Sequence, residues 1–209
     1  KGAHKSILKS FSDHEADILV GTQMISKGLD FPNVTLVGIL NADALLNRVD
    51  YRAVEMTFDL LVQASGRSGR GEKGGNVVIQ VYNPDHYGIR YAAKQNYLAF
   101  FAQEMRYRQI GKYPPYRYFI SFIAKDENED KAYQRIMKIK QKLRDLGEQD
   151  LLGPSDILKH NDEFRYRLLY RGTDIEKMKD NADKVYEYLK EEKERGTVLI
   201  DVNPIGLEQ

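Results

Sequence analysis

The apolar positions of the first half fall into short runs and one striped helix. Residues 5–11 put Ile7, Leu8 and Phe11 on one side of a short amphipathic helix. Residues 17–21 and 34–40 are compact apolar runs of the kind that form buried parallel strands. Residues 51–64, started by Asp50, read as a helix whose apolar members include Ala53, Phe58, Leu61 and Val62. A Gly74-Gly75 turn then leads into a third strand over 76–82. Strand, crossover, strand, helix, strand argues for a parallel sheet. Residues 85–107 predict one long helix with Ile89, Ala93, Tyr97, Phe100 and Met105 near one face, bridging two domains. The Gly111-Lys112-Tyr113-Pro114-Pro115-Tyr116 stretch ends it, because a residue before proline avoids the helical region. The boundary falls there, giving domains 1–112 and 113–209.

The second half changes rhythm. Residues 117–124 alternate as a strand, with Phe119 and Ile123 opposite Tyr118, Ile120 and Phe122. Residues 131–146 carry a helical stripe of Ala132, Ile136, Ile139 and Leu143, stopped by Gly147. Gly153-Pro154 reads as a turn, and 155–160 with 164–171 as a hairpin around Asn161-Asp162. Thr173 or Asp174 caps a second helix whose inward residues are Ile175, Met178, Ala182, Val185 and Leu189. Residues 197–202 close the unit as a strand. Strand, helix, strand, strand, helix, strand describes a ferredoxin-like sandwich. The fold class is therefore α/β, a parallel-sheet first domain followed by an α+β ferredoxin-like C-terminal domain.

Composition narrows the chemistry. The net charge is only +1 across 209 residues, so affinity for nucleic acid has to come from local patches. The absence of cysteine excludes disulfides, thiolate zinc sites and a cysteine nucleophile. His4, His14, His86 and His160 are scattered without metal-ligand spacing, so no metal site is expected. No apolar run reaches transmembrane length, and no signal peptide is visible. The opening Lys1-Gly2-Ala3 reads as a cut inside a longer protein.

Two polar stretches carry the candidate chemistry. Gln63-Ala64-Ser65-Gly66-Arg67-Ser68-Gly69-Arg70 sets two arginines three apart among glycines, at the end of the 51–64 helix. Glycine permits close backbone approach, and the guanidinium fork fits phosphate oxygens. Gly21-Thr22-Gln23-Met24-Ile25-Ser26-Lys27-Gly28-Leu29-Asp30 lies at the carboxyl end of an expected strand, where open α/β sheets bind ligands.

Gly21-Thr22-Gln23 leading to Lys27-Gly28-Leu29-Asp30 resembles motif V of superfamily 2 helicases, and Gln63-x-x-Gly66-Arg67-x-Gly69-Arg70 resembles motif VI. With the Tyr113-Pro114-Pro115-Tyr116 element and the closing Asp201-Val202-Asn203-Pro204, the string resembles the bacterial replication-restart helicases over essentially all 209 residues. The resemblance implies a partial RecA-like lobe 2 in the first half. It implies Arg70 as the arginine finger, Arg67 as a second phosphate contact and Gln63 as the group that orients them. It implies that Gly28 and Asp30 face the nucleotide, and that Thr22 and Gln23 face the DNA backbone. For Lys27, a phosphate contact and a solvated surface lysine stand side by side; for Asp43, a cap or turn role is favoured. The chain has no Gly-x-x-x-x-Gly-Lys-Ser/Thr loop and no Asp-Glu magnesium motif. The family carries these in the first motor lobe, and its zinc module ahead of that region is missing too. ATP and Mg2+ are thus expected in the full-length protein and zinc in the upstream module, with none bound by this chain alone. Its expected partners are branched or single-stranded DNA, single-strand binding protein, primosome proteins and the replicative helicase loader, in the bacterial cytoplasm with no membrane. Unwinding is expected to run 3′-to-5′. A different superfamily 2 helicase, or a non-catalytic nucleic-acid-binding scaffold with relic motifs, are the competing readings.

In the second half, strand alternation sends Phe164, Tyr166, Leu168 and Tyr170 one way and Arg165, Arg167, Leu169 and Arg171 the other. Three arginines on one face form a phosphate track, or pair with acids such as Asp162 and Glu163. Tyr113, Tyr116 and Tyr118 read as packing residues rather than base-stacking platforms.

Overall fold

The computed structural model describes residues 3–22, 31, 33–66, 75–160, 162–193 and 197–207. It divides into two compact units, Lys1–Glu104 and Met105–Gln209, each described by itself below.

The first unit opens with α1 (Ala3–Ser12), whose Phe11 meets Phe31 edge to face at 4.9 Å. The strand expected over 17–21 is not formed: the run has strand composition, but its backbone joins no ladder among the described residues, and Ile18 and Val20 stay exposed. Apolar composition makes a strand only where a partner edge accepts its hydrogen bonds. The expected strands at 34–40 and 76–82 are present as β1 (Leu36–Ile39) and β2 (Asn76–Ile79). They pair in parallel, Leu36 with Asn76 through Ile39 with Ile79. Between them lie α2 (Asp43–Leu46) and α3 (Ala53–Ser65). Asp50 accepts the Arg52 N–H at 2.8 Å and so starts α3 from just outside it. Phe58, Leu61, Ile89 and Phe100 form the core of this unit, with Phe58 and Phe100 stacked at 4.0 Å between centroids.

The single helix expected over 85–107 is two helices, α4 (Tyr87–Ala93) and α5 (Tyr97–Gly111). The break has a local cause. Gln95 takes a left-handed φ of 49°, and the Asn96 side chain accepts the Ala99 N–H at 3.1 Å, an N-cap that begins a new helix. His86 caps α4 by accepting the Gly88 N–H at Nδ1. Burial lowers its pKa against the opposing pull of Asp43 and Glu104, which favours the neutral ring that this bond requires.

The second unit is the expected sandwich. Its elements are β3 (Tyr118–Asp126), α6 (Glu129–Asp145), β4 (Leu151–His160), β5 (Glu163–Gly172), α7 (Ile175–Glu191) and β6 (Val198–Val202). The strands run antiparallel in the order β4-β5-β3-β6, which is the ferredoxin-like arrangement. Asn128 caps α6 through the Lys131 N–H, and Asp174, the second of the two expected candidates, caps α7 through the Glu176 and Lys177 N–H groups. The core lies between the sheet and the helices: Ile120, Phe122, Ala124, Leu168 and Tyr170 meet Ile136, Ile139, Leu143, Met178, Val185 and Leu189.

Gly153-Pro154 is not a turn but an irregularity inside β4, where pairing moves from Leu152 with Leu169 to Ser155 with Arg167. Gly153 has φ +108°, and a Cβ there would sit 2.7 Å from the Arg167 carbonyl, so the bulge needs glycine.

The sheet face away from the helices is also covered. Phe119, Ser121, Ile123, Arg167 and Leu169 are all buried on it. Asn203, at φ 54°, donates its N–H to the Phe119 carbonyl at 2.7 Å and turns the chain back over this face, where Pro204 and Leu207 are buried. Tyr113 adds its ring 5.9 Å from Phe119. Residues 203–207 and the segment around 111–113 thus make an outer layer that the alternation pattern does not announce.

Candidate functional site

In the first unit the polar chemistry is carried by α3. Thr57, Phe58, Leu61 and Ala64 are buried, which fixes the rotation of the helix. Gln63 is left exposed in its last turn. Gly66 then ends the helix, its N–H donating to the Val62 carbonyl at 3.0 Å. Upstream on the helix, burial and then the neighbouring Glu55 raise the pKa of Asp59. Arg67 and Arg70 lie outside the described residues, as do Gln23, Lys27, Gly28 and Asp30. Thr22 is described, exposed and in irregular chain.

Asp43 has a structural part. It is buried at the start of α2, and its carboxylate accepts the N–H groups of Tyr82 at 2.6 Å and Asn83 at 3.4 Å. With Gln80 N–H donating to the Ile39 carbonyl at 2.8 Å, it ties together the carboxyl ends of β1 and β2. The sequence favoured a cap or turn role for Asp43, and the structure gives it a structural one, at the start of α2 and across to residues 82 and 83.

In the second unit, β5 sends Arg165, Arg167 and Arg171 to the face away from the helices, as alternation requires. That face does not present a row of solvated cations. Arg167 is only 4% exposed and donates through Nη1 to the Leu207 carbonyl. Arg171 grips Asp150 Oδ1 through Nε at 2.9 Å and again through Nη2, and reaches the Gly111 carbonyl at 3.0 Å with Nη1. These two guanidinium groups hold the outer layer down. The acid that Arg171 uses is Asp150; Glu163 pairs instead with Lys125 at 3.4 Å. Arg165 is half-buried beside Asp156, Ile157 and Tyr166.

A test follows from this geometry. Arg171→Ala should lower the stability of the chain by about 1.5–3 kcal/mol, the range for hydrogen bonds to charged groups. Denaturant midpoints would read the loss, and the salt dependence of DNA binding should not change.

Among the described residues no group of three or more His, Asp or Glu is placed to hold a metal ion, and no helix is long and apolar enough to cross a membrane.

The first unit is a parallel αβ piece whose α3 leads into Gln63-x-x-Gly66, and the second is a ferredoxin-like domain. Residues 1–72 match the helicase conserved C-terminal domain, and residues 109–205 match the primosomal protein N C-terminal domain. The chain is 43% identical over 210 residues, 98% of its length, to the replication restart protein PriA of Bacillus subtilis. It is 43% identical over 82% of its length to PriA of Synechocystis, and 33% identical over 96% of its length to PriA of Borreliella burgdorferi. It covers 26%, 21% and 31% of those relatives respectively, so the similarity spans under a third of each. By both matches and these relatives, the chain is similar to the C-terminal part of PriA replication restart proteins.

Proposed function

We propose that the full-length protein is an ATP-dependent 3′-to-5′ DNA helicase that restarts stalled replication forks, and that this chain contributes the arginine side of its ATPase together with a DNA-binding C-terminal domain. One observation carries the reading: a single chain joins a helicase C-terminal domain to a primosomal protein N C-terminal domain, in that order. ATP with Mg2+ supplies the phosphoryl chemistry when bound by the complete motor. Within this chain, Arg70 is assigned to the charge that develops on the transferred phosphoryl group, with Arg67 as a second contact. Gln63, projecting from the anchored last turn of α3, is suited to hold that pair in register. Gly28 and Asp30 face the nucleotide, while Thr22, Gln23 and Lys27 face the DNA backbone. Single-strand binding protein, primosome proteins and the replicative helicase loader are the proposed partners, in the bacterial cytoplasm. The zinc assigned to the family's upstream module has no expected ligand set in this chain, which lacks cysteine.

For the C-terminal domain, the engagement of Arg167 and Arg171 moves the proposed DNA contacts toward Arg165 and the basic residues Arg106, Arg108 and Lys112.

The test is an ATPase assay on the full-length protein, with and without forked DNA. Turnover stimulated by the fork is expected. The purified 209-residue chain, which has neither the phosphate loop nor the magnesium acid motif in its sequence, should show no turnover with or without DNA. Fork-independent, absent turnover in the full-length protein would leave the non-catalytic scaffold as the better reading.

A further inference from the structure

The segment that enters the second unit carries chemistry that the arginine strand does not. Tyr113 packs inward against Phe119, as the sequence led one to expect. Tyr116 and Tyr118 are less enclosed. They flank Arg117 and are 37% and 42% exposed. A turn holds this arrangement, since the Tyr116 N–H donates to the Tyr113 carbonyl at 3.0 Å and the Tyr113 N–H to the Arg108 carbonyl at 2.8 Å.

Cations converge on the same stretch. Arg117 Nη1 donates to the Tyr116 carbonyl at 3.1 Å, and Arg108 Nη1 to the Pro114 carbonyl at 3.5 Å. Lys112 and Arg171 approach from the other side and share Asp150. Arg108, Lys112 and Arg117 thus stand along residues 108–117, with Lys112 paired to Asp150. Part-exposed aromatic rings beside cations are the elements of a sequence-tolerant single-strand site: every base has a π-face, and every phosphate a negative charge. A duplex buries its base faces and could use only the charge.

We propose that Tyr116 and Tyr118 form a stacking platform for the bases of single-stranded DNA, with Arg117, Arg108 and Lys112 drawing in the backbone. This rests on reading the second unit as a DNA-binding domain, and it names where that domain binds and in which strand state.

The experiment titrates the 209-residue chain, its Tyr116→Ala/Tyr118→Ala variant and its Tyr116→Phe/Tyr118→Phe variant against a fluorescein-labelled oligothymidylate and a labelled duplex, over a salt series. The alanine variant should lose single-strand affinity by roughly 5- to 150-fold for each stacked base. Its duplex affinity and its slope of log K against log salt should not change, because no phosphate contact is removed. The phenylalanine variant keeps the π-faces and should bind as the parent does. Ultraviolet crosslinking of the unsubstituted chain to a 5-iododeoxyuridine strand locates the contact without any mutation, and crosslinks on Tyr116 or Tyr118 are expected. Crosslinks confined to other residues overturn the platform. So does an alanine variant that binds single strands as tightly as the parent, or one that loses single-strand and duplex affinity equally. In those cases the domain still binds DNA by another surface. A parent chain that binds neither strand state overturns the DNA-binding reading and the platform together, and leaves the exposed tyrosines to a protein partner.

Discussion

Arg70→Ala in the full-length protein should lower the ATPase rate by roughly 10³-fold or more, the scale attached to arginine fingers. Phosphoryl transfer leaves little covalent work to the protein; catalysis is positioning and neutralisation of charge that appears only near the transition state. A guanidinium that acts on that charge changes turnover far more than it changes ATP binding, so the affinity for ATP should move little. The same substitution at Arg67 should cost both affinity and rate if that residue contacts phosphate in the ground state. Steady-state turnover with forked DNA, combined with equilibrium binding of a non-hydrolysable analogue, separates the two effects. An Arg70→Ala protein that turns over at the parent rate would pass the finger role to Arg67. The helix that leads into this motif is well anchored by Phe58, Leu61 and Ala64. A Gln63 substitution therefore tests orientation without loosening the core.

Ile136→Ala should destabilise the second unit by about 2–5 kcal/mol. Ile136 is fully buried in α6 and belongs to the cluster that joins the helices to Ile120, Phe122 and Leu168 of the sheet. Truncating it removes transfer free energy and leaves a void that close-packed neighbours on three elements fill only in part. Against a typical domain stability of roughly 5–15 kcal/mol, that is a large fraction. Met137, one position on and 37% exposed, is the control, and its truncation should stay within about 0.5 kcal/mol. The chain has no tryptophan, so urea unfolding followed by circular dichroism is the suitable measurement.

The contrast between the two halves explains what could be read from residues alone. In the second unit, period and punctuation agree: the Ile136, Ile139 and Leu143 stripe, the Asp174 cap and the alternation of β5 each point to one structure, and the strand order follows from them. Local signals that conflict were harder. The apolar stripe from Ile89 to Met105 argues for one helix, while Asn96, three residues before the amide it caps, argues for two; the cap prevailed. Gly153-Pro154 has turn composition, yet ladder pairing on both sides keeps it inside a strand. The arginines show a deeper limit. Alternation put them on the correct face, but nothing near them in sequence says that residues 203–207 and Gly111 return to that face and take up Arg167 and Arg171. Tyr116 and Tyr118 keep 37% and 42% of their surface exposed, a degree that aromatic composition does not announce. The helicase motifs were legible as strings, and apart from Thr22, Gln63 and Gly66 their key residues fall outside those the structure describes.

The sheet order also sets a timetable for synthesis. β3 is the first strand of its sheet to be made, yet it ends between two strands made later. Ile120 pairs with Tyr170 on one edge and with Val202 on the other, and the Phe119 carbonyl finds its partner only when Asn203 has been added. At ribosomal speeds of about 5–20 residues per second, β3 spends on the order of seconds with both edges open. During that interval its largely apolar row from Phe119 to Ala124 is open to pairing with the wrong strand, including β3 of a neighbouring copy on the same message. A chaperone that shelters nascent β3 should therefore raise the yield of this unit more than one acting after release.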